Sequence, residues 1–310
     1  MNKDILSLFP FEREEVFSIQ DAKQKAGWSV TAFDLPDAWT RSRGEGVKIA
    51  VIDTGADLDH PDLKKNLFPG FNVLDPSSMP WDDNQPGTHV AGIIVAENND
   101  IGMVGVAPDA KVMPVKVLDR SGNGTISSVA AGIRWAADNG ADLICMSLGS
   151  PNHTQEVREA IQYAATKNVV CFVAAGNSGL TKSVFYPANY PETIAIGSID
   201  ENLNRSSFSN TGDNLDFMCP GGKIFSTVPD NWYAVLSGTS MAAPFATGVA
   251  ALVLSYSRSM NAKLNLNNAD DYRVAFKEHT VPVTSDTFKN NKFYQGFGIL
   301  EPKRILEALG

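Results

Sequence analysis

The sequence predicts an α/β fold in three layers, with a mostly parallel sheet between two layers of helices. Apolar, β-branched runs of strand length recur along the chain, at residues 47–52, 112–117, 142–148, 169–174 and 193–198. Patterns of helical spacing lie between some of these runs, over 126–138 and 154–167. Strands that are apolar on both faces and alternate with helices are typical of a parallel sheet covered by helices.

The first helical pattern has a recognisable apolar face, and the second has a recognisable N-terminal start. In residues 126–138, Val129, Ile133 and Ala136 fall on one face. Thr154 stands directly before the second pattern, where threonine is a favourable N-cap residue. The sequence therefore predicts two helices that pack on the sheet between its strands.

Length and cysteine usage predict one domain in a reducing compartment. The chain has 310 residues, and we expect an N-terminal extension over 1–22 followed by a single domain over 23–310. Charges are scattered through the extension, which does not fit a secretory signal. Three cysteines, Cys145, Cys171 and Cys219, are odd in number and predict buried thiols rather than disulfides. We therefore expect a cytoplasmic protein.

The charge of the chain argues against two classes of partner. The net charge is −9 and the sequence pI is about 5.0, so the surface repels nucleic acid and anionic membranes. No run of 18 apolar residues occurs, so the sequence predicts no membrane span. We expect neither nucleic acid nor a membrane among the partners.

The most specific motif is the heptapeptide Gly-Thr-Ser-Met-Ala-Ala-Pro at 238–244, which leads into a long apolar helical pattern. Ser240 would lie at the N-terminus of that helix, where free N–H groups and the helix dipole stabilise a developing oxyanion. Pro244 fits the first turn of a helix, so it predicts a helix that starts near Ser240. A lone Gly-Thr-Ser would indicate only an ordinary N-cap.

Two further polar residues follow buried strands. Asp53 closes the first strand in Asp-Thr-Gly, and Asn177 follows the run 169–174 in Ala-Ala-Gly-Asn. Ligand-handling groups gather at the carboxyl ends of parallel strands, and an asparagine side chain can donate to an oxyanion. Asp-Thr-Gly also opens aspartic-peptidase sites, but that chemistry needs two such loops on a β-rich fold, and here there is one.

In the chain order Asp53, Asn177, Ser240, these motifs resemble the subtilisin-like serine peptidases. The resemblance runs from about residue 23 to residue 310. It implies a parallel sheet of about seven strands, with Ser240 as the nucleophile, Asp53 as the orienting acid and Asn177 as the oxyanion donor.

The resemblance also implies a cleft for an extended peptide, which is held by main-chain pairing while pockets contact alternate side chains. The substrate-binding residues that it implies are Gly122, Gly124, Ser147, Leu148, Gly149, Ala175, Gly176 and Phe185. Phe185 falls where the family usually has a small residue at the floor of the primary specificity pocket. Its ring either fills that pocket or leaves a shallower pocket for small side chains.

One motif departs from the family at the position of the general base. The family reads His-Gly-Thr-His-Val-Ala-Gly and uses the first histidine, whereas this chain has Pro86 there and matches only the second with His89. Proline cannot accept the proton of Ser240, and in a subtilisin the loss of this histidine alone lowers turnover by about 10⁶-fold. The other histidines, His60, His153 and His279, are not expected to replace it.

The resemblance covers a calcium site as well. Three side chains and three main-chain carbonyl groups match its ligands, namely Gln24, Asp62 and Asn99, and the carbonyls of Glu97, Ile101 and Met103. Oxygen ligands from an asparagine-rich loop suit Ca²⁺. Asp216, with carbonyls near Ala188 and Tyr190, is predicted to form a weaker cation site.

The segment Leu8-Phe9-Pro10-Phe11 resembles a short segment of the intracellular bacterial subtilisins. In that subfamily the segment lies across the active-site cleft as an inhibitor and is later removed. The resemblance implies that residues 8–11 bind in the chain's own cleft, and it implies a homodimer. The alternative is an apolar strip that packs on the domain surface.

Two functions remain open on the sequence. The chain is either an inactive homologue that binds an extended peptide, or an active intracellular endopeptidase that cuts proteins through Ser240 with a base from elsewhere, such as a substrate histidine. An unrelated α/β hydrolase is disfavoured, because the Gly-x-Ser-x-Gly elbow is absent around Ser240.

Overall fold

The computed structural model describes residues 5–18, 23–260 and 264–310. The strands of the described chain are β1 (Ile5–Leu8), β2 (Glu12–Ser18), β3 (Lys48–Asp53), β4 (Phe71–Asn72), β5 (Lys111–Lys116), β6 (Asn123–Thr125), β7 (Leu143–Met146), β8 (Leu148–Gly149), β9 (Val170–Ala174), β10 (Thr193–Ile199), β11 (Phe217–Pro220), β12 (Ile224–Val228) and β13 (Trp232–Ser237). Its helices are α1 (Trp28–Ala32), α2 (Leu35–Ala38), α3 (Pro86–Val95), α4 (Ile126–Asp138), α5 (Gln155–Thr166), α6 (Thr239–Ser259), α7 (Ala269–Lys277), α8 (Lys292–Gln295) and α9 (Pro302–Leu309).

The central sheet has seven strands, all parallel, in the order β11-β10-β9-β7-β3-β5-β4. Strands β7, β9 and β10 are buried at every residue, which is why they read as continuous apolar runs. Helices α3 and α6 contact each other and pack on the sheet, and α4 and α5 form a second contacting pair on it. The predicted three-layer α/β fold is therefore confirmed.

The two predicted helices are present, but one cap differs from expectation. The side chain of Thr125 caps α4 by accepting a hydrogen bond from Ser128 N at 3.0 Å. Thr154 occupies the N-cap position of α5, yet its side chain makes no capping bond. The Tyr190 hydroxyl instead bonds the main-chain N–H and C=O of Thr154, each at 2.9 Å, and so holds this turn from outside the helix.

Helix α6 begins at Thr239, which places Pro244 in the second turn rather than in the predicted first turn. Proline has no N–H, so the carbonyl of Ser240 loses its partner four residues on. The Ser147 hydroxyl donates to that carbonyl at 2.9 Å, which explains how the helix accommodates the proline. By length and composition α6 could cross a membrane, but 83% of its most apolar stretch is buried inside the protein.

The N-terminal residues build two small sheets on the surface of the domain. Strand β1 lies between β6 and β8 and is antiparallel to both, and β2 pairs antiparallel with β13. We call residues 5–18 the strap, because they cross the domain from one of these sheets to the other. The three cysteines of the sequence are buried free thiols, as predicted.

Candidate active site

The candidate site lies where the strand order of the central sheet changes direction. Strands β5 and β4 lie on one side of β3, and the later strands β7, β9, β10 and β11 lie on the other side. In open parallel sheets, such a switch point forms a crevice at the carboxyl ends of the strands. Asp53 ends β3, Ser147 follows β7, and Asn177 stands three residues beyond β9, so the fold brings the predicted polar groups to one edge.

Ser240 is the second residue of α6 and is buried, with 1% of its surface exposed. Its hydroxyl donates to the carbonyl oxygen of Ser147 at 3.2 Å. The Ser147 hydroxyl donates in return to the Ser240 carbonyl, so two reciprocal bonds fix the start of α6 against the end of β7. A hydroxyl that donates to a carbonyl has no base to take its proton and is a weak nucleophile near neutral pH.

The orientation of the Asn177 amide is fixed by Thr239. Its Oδ1 accepts from the Thr239 N–H at 2.8 Å and from the Thr239 hydroxyl at 2.6 Å. Two donors on one atom identify that atom as the oxygen, so the NH₂ group must point the other way. There it donates to the carbonyl oxygen of Pro10 in the strap at 2.7 Å, the type of contact expected of an oxyanion donor.

Asp53 is fully buried and half satisfied. Its Oδ1 accepts from the Thr54 N–H at 2.7 Å, whereas its Oδ2 has no hydrogen-bond partner in the described structure. Burial raises the pKa of Asp53 to about 7, and the nearby Asp82 adds to the rise, whereas the Thr54 N–H and Lys116 oppose it. The carboxyl group is therefore largely protonated below neutral pH.

Pro86 is buried at the first position of α3, directly beside the loop that carries Asp53. The N–H of the next residue, Gly87, donates to the Thr54 hydroxyl at 3.1 Å. The Asp82 carboxylate fixes the turn around Pro86, because it accepts hydrogen bonds from the N–H groups of Gln85 and Thr88 at 2.9 and 2.8 Å. The turn is rigid, and the residue that it presents at the expected base position carries no titratable group.

The histidines of the chain are engaged elsewhere or lie apart from the site. His89 is buried with Nε2 at 3.1 Å from the carbonyls of Ile224 and Ala234, and burial lowers its pKa to about 4. It is a packing residue. His60 contacts the carbonyl of Trp232, His153 contacts the Tyr190 hydroxyl, and His279 follows α7.

The strap occupies the cleft in the manner of an extended peptide. Leu6 and Ser7 pair with Gly124 and Asn123 of β6, and Ser7 and Leu8 pair with β8. The Leu8 N–H donates to the Gly122 carbonyl at 2.9 Å. Gly122 leaves room for the Leu8 side chain, because a Cβ added there would lie 2.8 Å from Leu8 Cδ1. The two predicted clamping segments therefore both hold the strap.

Phe9 fills the pocket where Phe185 lies, which overturns both expectations for Phe185. The Phe9 side chain is buried, and its ring centroid lies 5.9 Å from that of Phe185. A Cβ added at Gly149 would lie 2.7 Å from Phe9 Cζ, so the glycine makes room for the ring. Phe185 therefore forms a wall of the pocket, and the pocket accepts an aromatic side chain instead of being filled or restricted to small ones.

The predicted calcium ligands gather in one place. The Gln24 side-chain nitrogen lies 2.9 Å from the Glu97 carbonyl and 3.1 Å from the Met103 carbonyl. Asn99 bonds Asp62 Oδ1 at 2.9 Å with its amide nitrogen and the Ile101 N–H at 3.0 Å with its amide oxygen. A flip of the Gln24 amide would turn its oxygen toward the two carbonyls, as a hard cation requires, whereas the Asn99 oxygen is fixed by the Ile101 N–H and its NH₂ group faces Asp62.

The predicted weaker cation site at Asp216 is not available to a metal ion. Arg273 holds the Asp216 carboxylate through Nε at 2.8 Å and through Nη2 at 3.1 Å, and so neutralises its charge. No local pattern pointed to this pair, because Arg273 lies 57 residues beyond Asp216 in a polar stretch. Among the described residues, no cluster of three or more His, Cys, Asp or Glu side chains is arranged to hold a metal.

Sequence reasoning missed one charged residue near Asp53. Lys116 is buried at the end of β5, in register with Asp53, and its ammonium group donates to the Thr54 carbonyl at 2.8 Å and to Asp83 at 2.6 Å. The feature of the sequence that could have identified it is a lysine next to the last residue of the predicted strand 112–117. Its positive charge opposes the rise in the Asp53 pKa.

Comparisons with known proteins agree with this geometry. A model of the Subtilase family matches residues 44–298. Thermitase from Thermoactinomyces vulgaris is 45% identical over 238 residues, which cover 76% of this chain and 85% of thermitase. Subtilisin Savinase from Lederbergia lenta is 45% identical over 231 residues, covering 74% and 84%. M-protease from Shouchella clausii (strain KSM-K16) is 44% identical over 241 residues, covering 77% of this chain but 62% of M-protease.

Proposed function

The chain belongs to the subtilase family, and from this membership we propose that it is a peptidase homologue that binds an extended peptide without cutting it. In this proposal Ser240, Asp53 and Asn177 keep their family positions, and Pro86 replaces the general base. The alternative is an active endopeptidase with a base from elsewhere. No contact in the described structure favours that alternative.

The observation that carries the proposal is the Asp53 carboxyl group with no imidazole beside it. Its Oδ2 is buried and has no hydrogen-bond partner in the described structure, and Pro86, at the expected base position, is the buried first residue of α3. In a serine triad, this oxygen would orient the base that takes the serine proton. Without that base, the Ser240 hydroxyl keeps its proton, which it donates in a hydrogen bond to the Ser147 carbonyl.

The strap supports peptide binding as the retained activity. Its main chain pairs on both sides in the cleft, Leu6 and Phe9 are buried, and Asn177 contacts the Pro10 carbonyl. We propose that residues 8–11, together with residues 6 and 7 before them, are an internal ligand of this cleft. A peptide that displaces them would carry a large aliphatic residue and an aromatic residue three positions apart, as Leu6 and Phe9 are.

The remaining proposals follow the intracellular subtilisin resemblance. We propose a cytoplasmic location and a homodimer, which rest on that resemblance alone. We also propose one structural Ca²⁺ at Gln24, Asp62 and Asn99, with the carbonyls of Glu97, Ile101 and Met103. Subtilases commonly bind structural calcium, and the contacts among five of these groups, all but the Ile101 carbonyl, support the same site here.

The test compares the natural chain with the Pro86→His variant, with calcium and an unstructured protein substrate. We expect no cleavage by the natural chain. The variant should cleave the substrate and its own strap, because an imidazole next to Asp53 supplies the base. The products are identified by mass spectrometry, and the Pro86→His/Ser240→Ala double variant is the matched control, which should be inactive.

Two outcomes separate the alternatives. Cleavage by the natural chain that disappears in Ser240→Ala contradicts the inactive proposal and establishes an endopeptidase. Absence of cleavage by Pro86→His contradicts the assignment of position 86 as the base position, provided that the variant melts at the temperature of the natural chain. Binding of a Leu-x-x-Phe peptide is measured separately by fluorescence polarisation, with the Ser240→Ala chain as a second receptor.

A further inference from the structure

Three lysine side chains line one groove at the end of the central sheet opposite the candidate active site. Lys48 begins β3 and Lys111 begins β5, whereas the site residues lie at the carboxyl ends of the strands. Lys65 completes the set, and the groove has a volume of about 480 Å³. The chain as a whole carries a net charge of −9, so this concentration of positive charge is a local feature of the surface.

Lys48 and Lys111 lie side by side, because they are register partners in the parallel strands β3 and β5. Like charges at neighbouring positions of a sheet destabilise it unless other groups offset them. The Lys111 ammonium group donates to Asn66 Oδ1 at 2.8 Å and to the Lys65 carbonyl at 3.0 Å. Both acceptors are neutral, so these bonds position the ammonium group without cancelling its charge.

The carboxylates near the groove do not neutralise this pair of lysines. Asp109 accepts from Arg43 Nε at 2.5 Å and from its Nη2 at 3.3 Å, so its charge is already matched. Asp142 accepts from the main-chain N–H at the start of β3 at 2.8 Å, but it forms an ion pair with Arg258. Glu45, which lines the groove with Asp109, is exposed and forms no ion pair with any residue that the structure describes. The lysines therefore leave a local excess of positive charge.

Each of the three ammonium groups has N–H groups to offer a ligand. That of Lys48 lies 5.0 Å from the centroid of the Phe68 ring and has no hydrogen-bond acceptor among the described residues. That of Lys111 uses two of its three N–H groups. The Lys65 side chain is 75% exposed, and its 3.6 Å contact with Glu97 is a surface ion pair, which holds the ammonium group only weakly.

This arrangement suits phosphate groups, because each ammonium is a compact charge with three rotatable donors. We propose that the groove binds a compact polyphosphate, either free pyrophosphate or the diphosphate of a nucleotide, with Lys48, Lys65 and Lys111 on its oxygens. Phe68 also lines the groove, is 41% exposed and would pack against the base of a nucleotide. The inference is independent of the peptide-binding proposal, because the groove and the cleft lie at opposite ends of the sheet.

The experiment titrates the natural chain with pyrophosphate, ADP and adenosine by isothermal calorimetry, at low ionic strength and without added divalent cations. We expect one pyrophosphate per chain and no binding of adenosine. Lys48→Gln should weaken pyrophosphate binding by about 10-fold or more, because it removes one charged hydrogen bond. Lys64→Gln is the matched control, because Lys64 is exposed next to the groove but does not line it, and its loss should change the affinity by less than about 3-fold.

The comparison of ADP with pyrophosphate distinguishes the two sources of phosphate. If ADP binds more tightly than pyrophosphate and loses this advantage in Phe68→Ala, the ligand is a nucleotide. If ADP binds no more tightly than pyrophosphate, the ligand is a free polyphosphate.

A second variant keeps the test decisive if Lys48→Gln does not fold. Lys65→Gln changes a largely exposed side chain and should also weaken pyrophosphate binding, and melting temperatures establish that the variants are folded. The proposal is overturned if pyrophosphate does not bind the natural chain or if the folded groove variants bind it as the natural chain does. It is also overturned if Lys64→Gln weakens binding as much as they do, which would show a general charge effect.

Discussion

At the scale of single residues, Asp53 is the residue that the missing general base affects most. In a complete triad an imidazole would share the charge of this carboxylate, but here its Oδ2 has no partner in the described structure. A carboxyl group whose pKa is higher in the folded chain than in the unfolded chain binds its proton more tightly when folded. The folding stability that Asp53 contributes is thus greatest at low pH and falls as the pH rises.

We predict that Asp53→Asn removes this pH dependence. With a folded pKa of about 7 and an unfolded pKa of about 3.9, Asp53 loses up to about 4 kcal/mol of folding stability between pH 4 and pH 7. Asn cannot ionise, so the free energy of unfolding of Asp53→Asn should exceed that of the natural chain by a margin that grows over this range. Denaturant unfolding at several pH values measures the margin.

The control for this prediction is Asp57→Asn, which removes the same charge from a nearby buried side chain. Asp57 accepts hydrogen bonds from the N–H groups of Asp59 and Asp230, one on each carboxylate oxygen, so neither oxygen lacks a partner. Asp57→Asn should therefore lower stability and should not reproduce the growing margin. A margin for Asp53→Asn that stays constant from pH 4 to pH 7 would contradict the raised pKa.

The residues of the site were largely predictable, because each stands in a local motif. The heptapeptide around Ser240, the Asp-Thr-Gly loop of Asp53 and the strand exit at Asn177 each place a polar group at the same sheet edge. Arg273 and Lys116 were not found, because their partners lie 57 and 33 residues away in the chain. Contacts between distant segments leave no periodic signal in either segment.

At the scale of secondary-structure elements, the strap shows how a short strand is held without a core of its own. Strand β1 has four residues and would not be stable alone, but both of its edges are paired, with β6 and with β8. Leu6 and Phe9 add buried apolar surface on either side of the pairing. Main-chain pairing thus holds the strap in place, and two side chains supply much of the binding energy.

We predict that Phe9→Ala releases β1 from the cleft. Loss of a buried phenyl ring costs about 3–5 kcal/mol, which lowers the hydrogen-exchange protection of residues 5–8 by roughly 100-fold or more. Val16→Ala is the matched control, because Val16 lies in the same strap but is 41% exposed. Equal protection of residues 5–8 in both variants would show that main-chain pairing alone holds the strap.

The behaviour of Pro244 shows where a rule for a single element fails. Proline is best tolerated in the first turn of a helix, so the sequence predicted a start near Ser240. The helix starts one residue earlier, and the hydroxyl of Ser147, which lies between β7 and β8, replaces the missing N–H. Such a tertiary replacement cannot be derived from the helix sequence.

At the scale of the whole molecule, the layers of the fold follow from the alternation of apolar strands and amphipathic helices, but the path of the strap does not. The strands that pair with the strap, β6, β8 and β13, belong to three separate parts of the chain. Residues 23–25, which follow the strap, pair with the loop that holds the predicted calcium ligands: Gln24 N–H donates to Asp100 and Lys25 N–H to Gly102. The described contacts that connect the strap to this site run through β13, which pairs with β2 and whose Tyr233 hydroxyl donates to Asp62.

We predict that chelation of Ca²⁺ lowers the melting temperature of the natural chain. An ion that binds only the folded state at 100 times its Kd stabilises it by about 2.7 kcal/mol, or roughly 4 °C for a domain of this size. Because Tyr233 bridges Asp62 to β13 through a 2.9 Å hydrogen bond, and β13 pairs with β2, chelation should also reduce the hydrogen-exchange protection of residues 12–18.

The variant Asp62→Asn separates the ion from other effects of chelator. It removes the one carboxylate of the predicted ligand set, so its melting temperature should be low and should not change on chelation. Asp59→Asn, an exposed change in the same loop, should keep the full response of the natural chain. An equal response to chelator in both variants would place the ion elsewhere. If the natural chain does not respond to chelator, the hydrogen bonds from Gln24 to the Glu97 and Met103 carbonyls complete this site without an ion. Because Asp62 is joined to β13 and β13 pairs with β2 of the strap, loss of the ion should loosen these contacts.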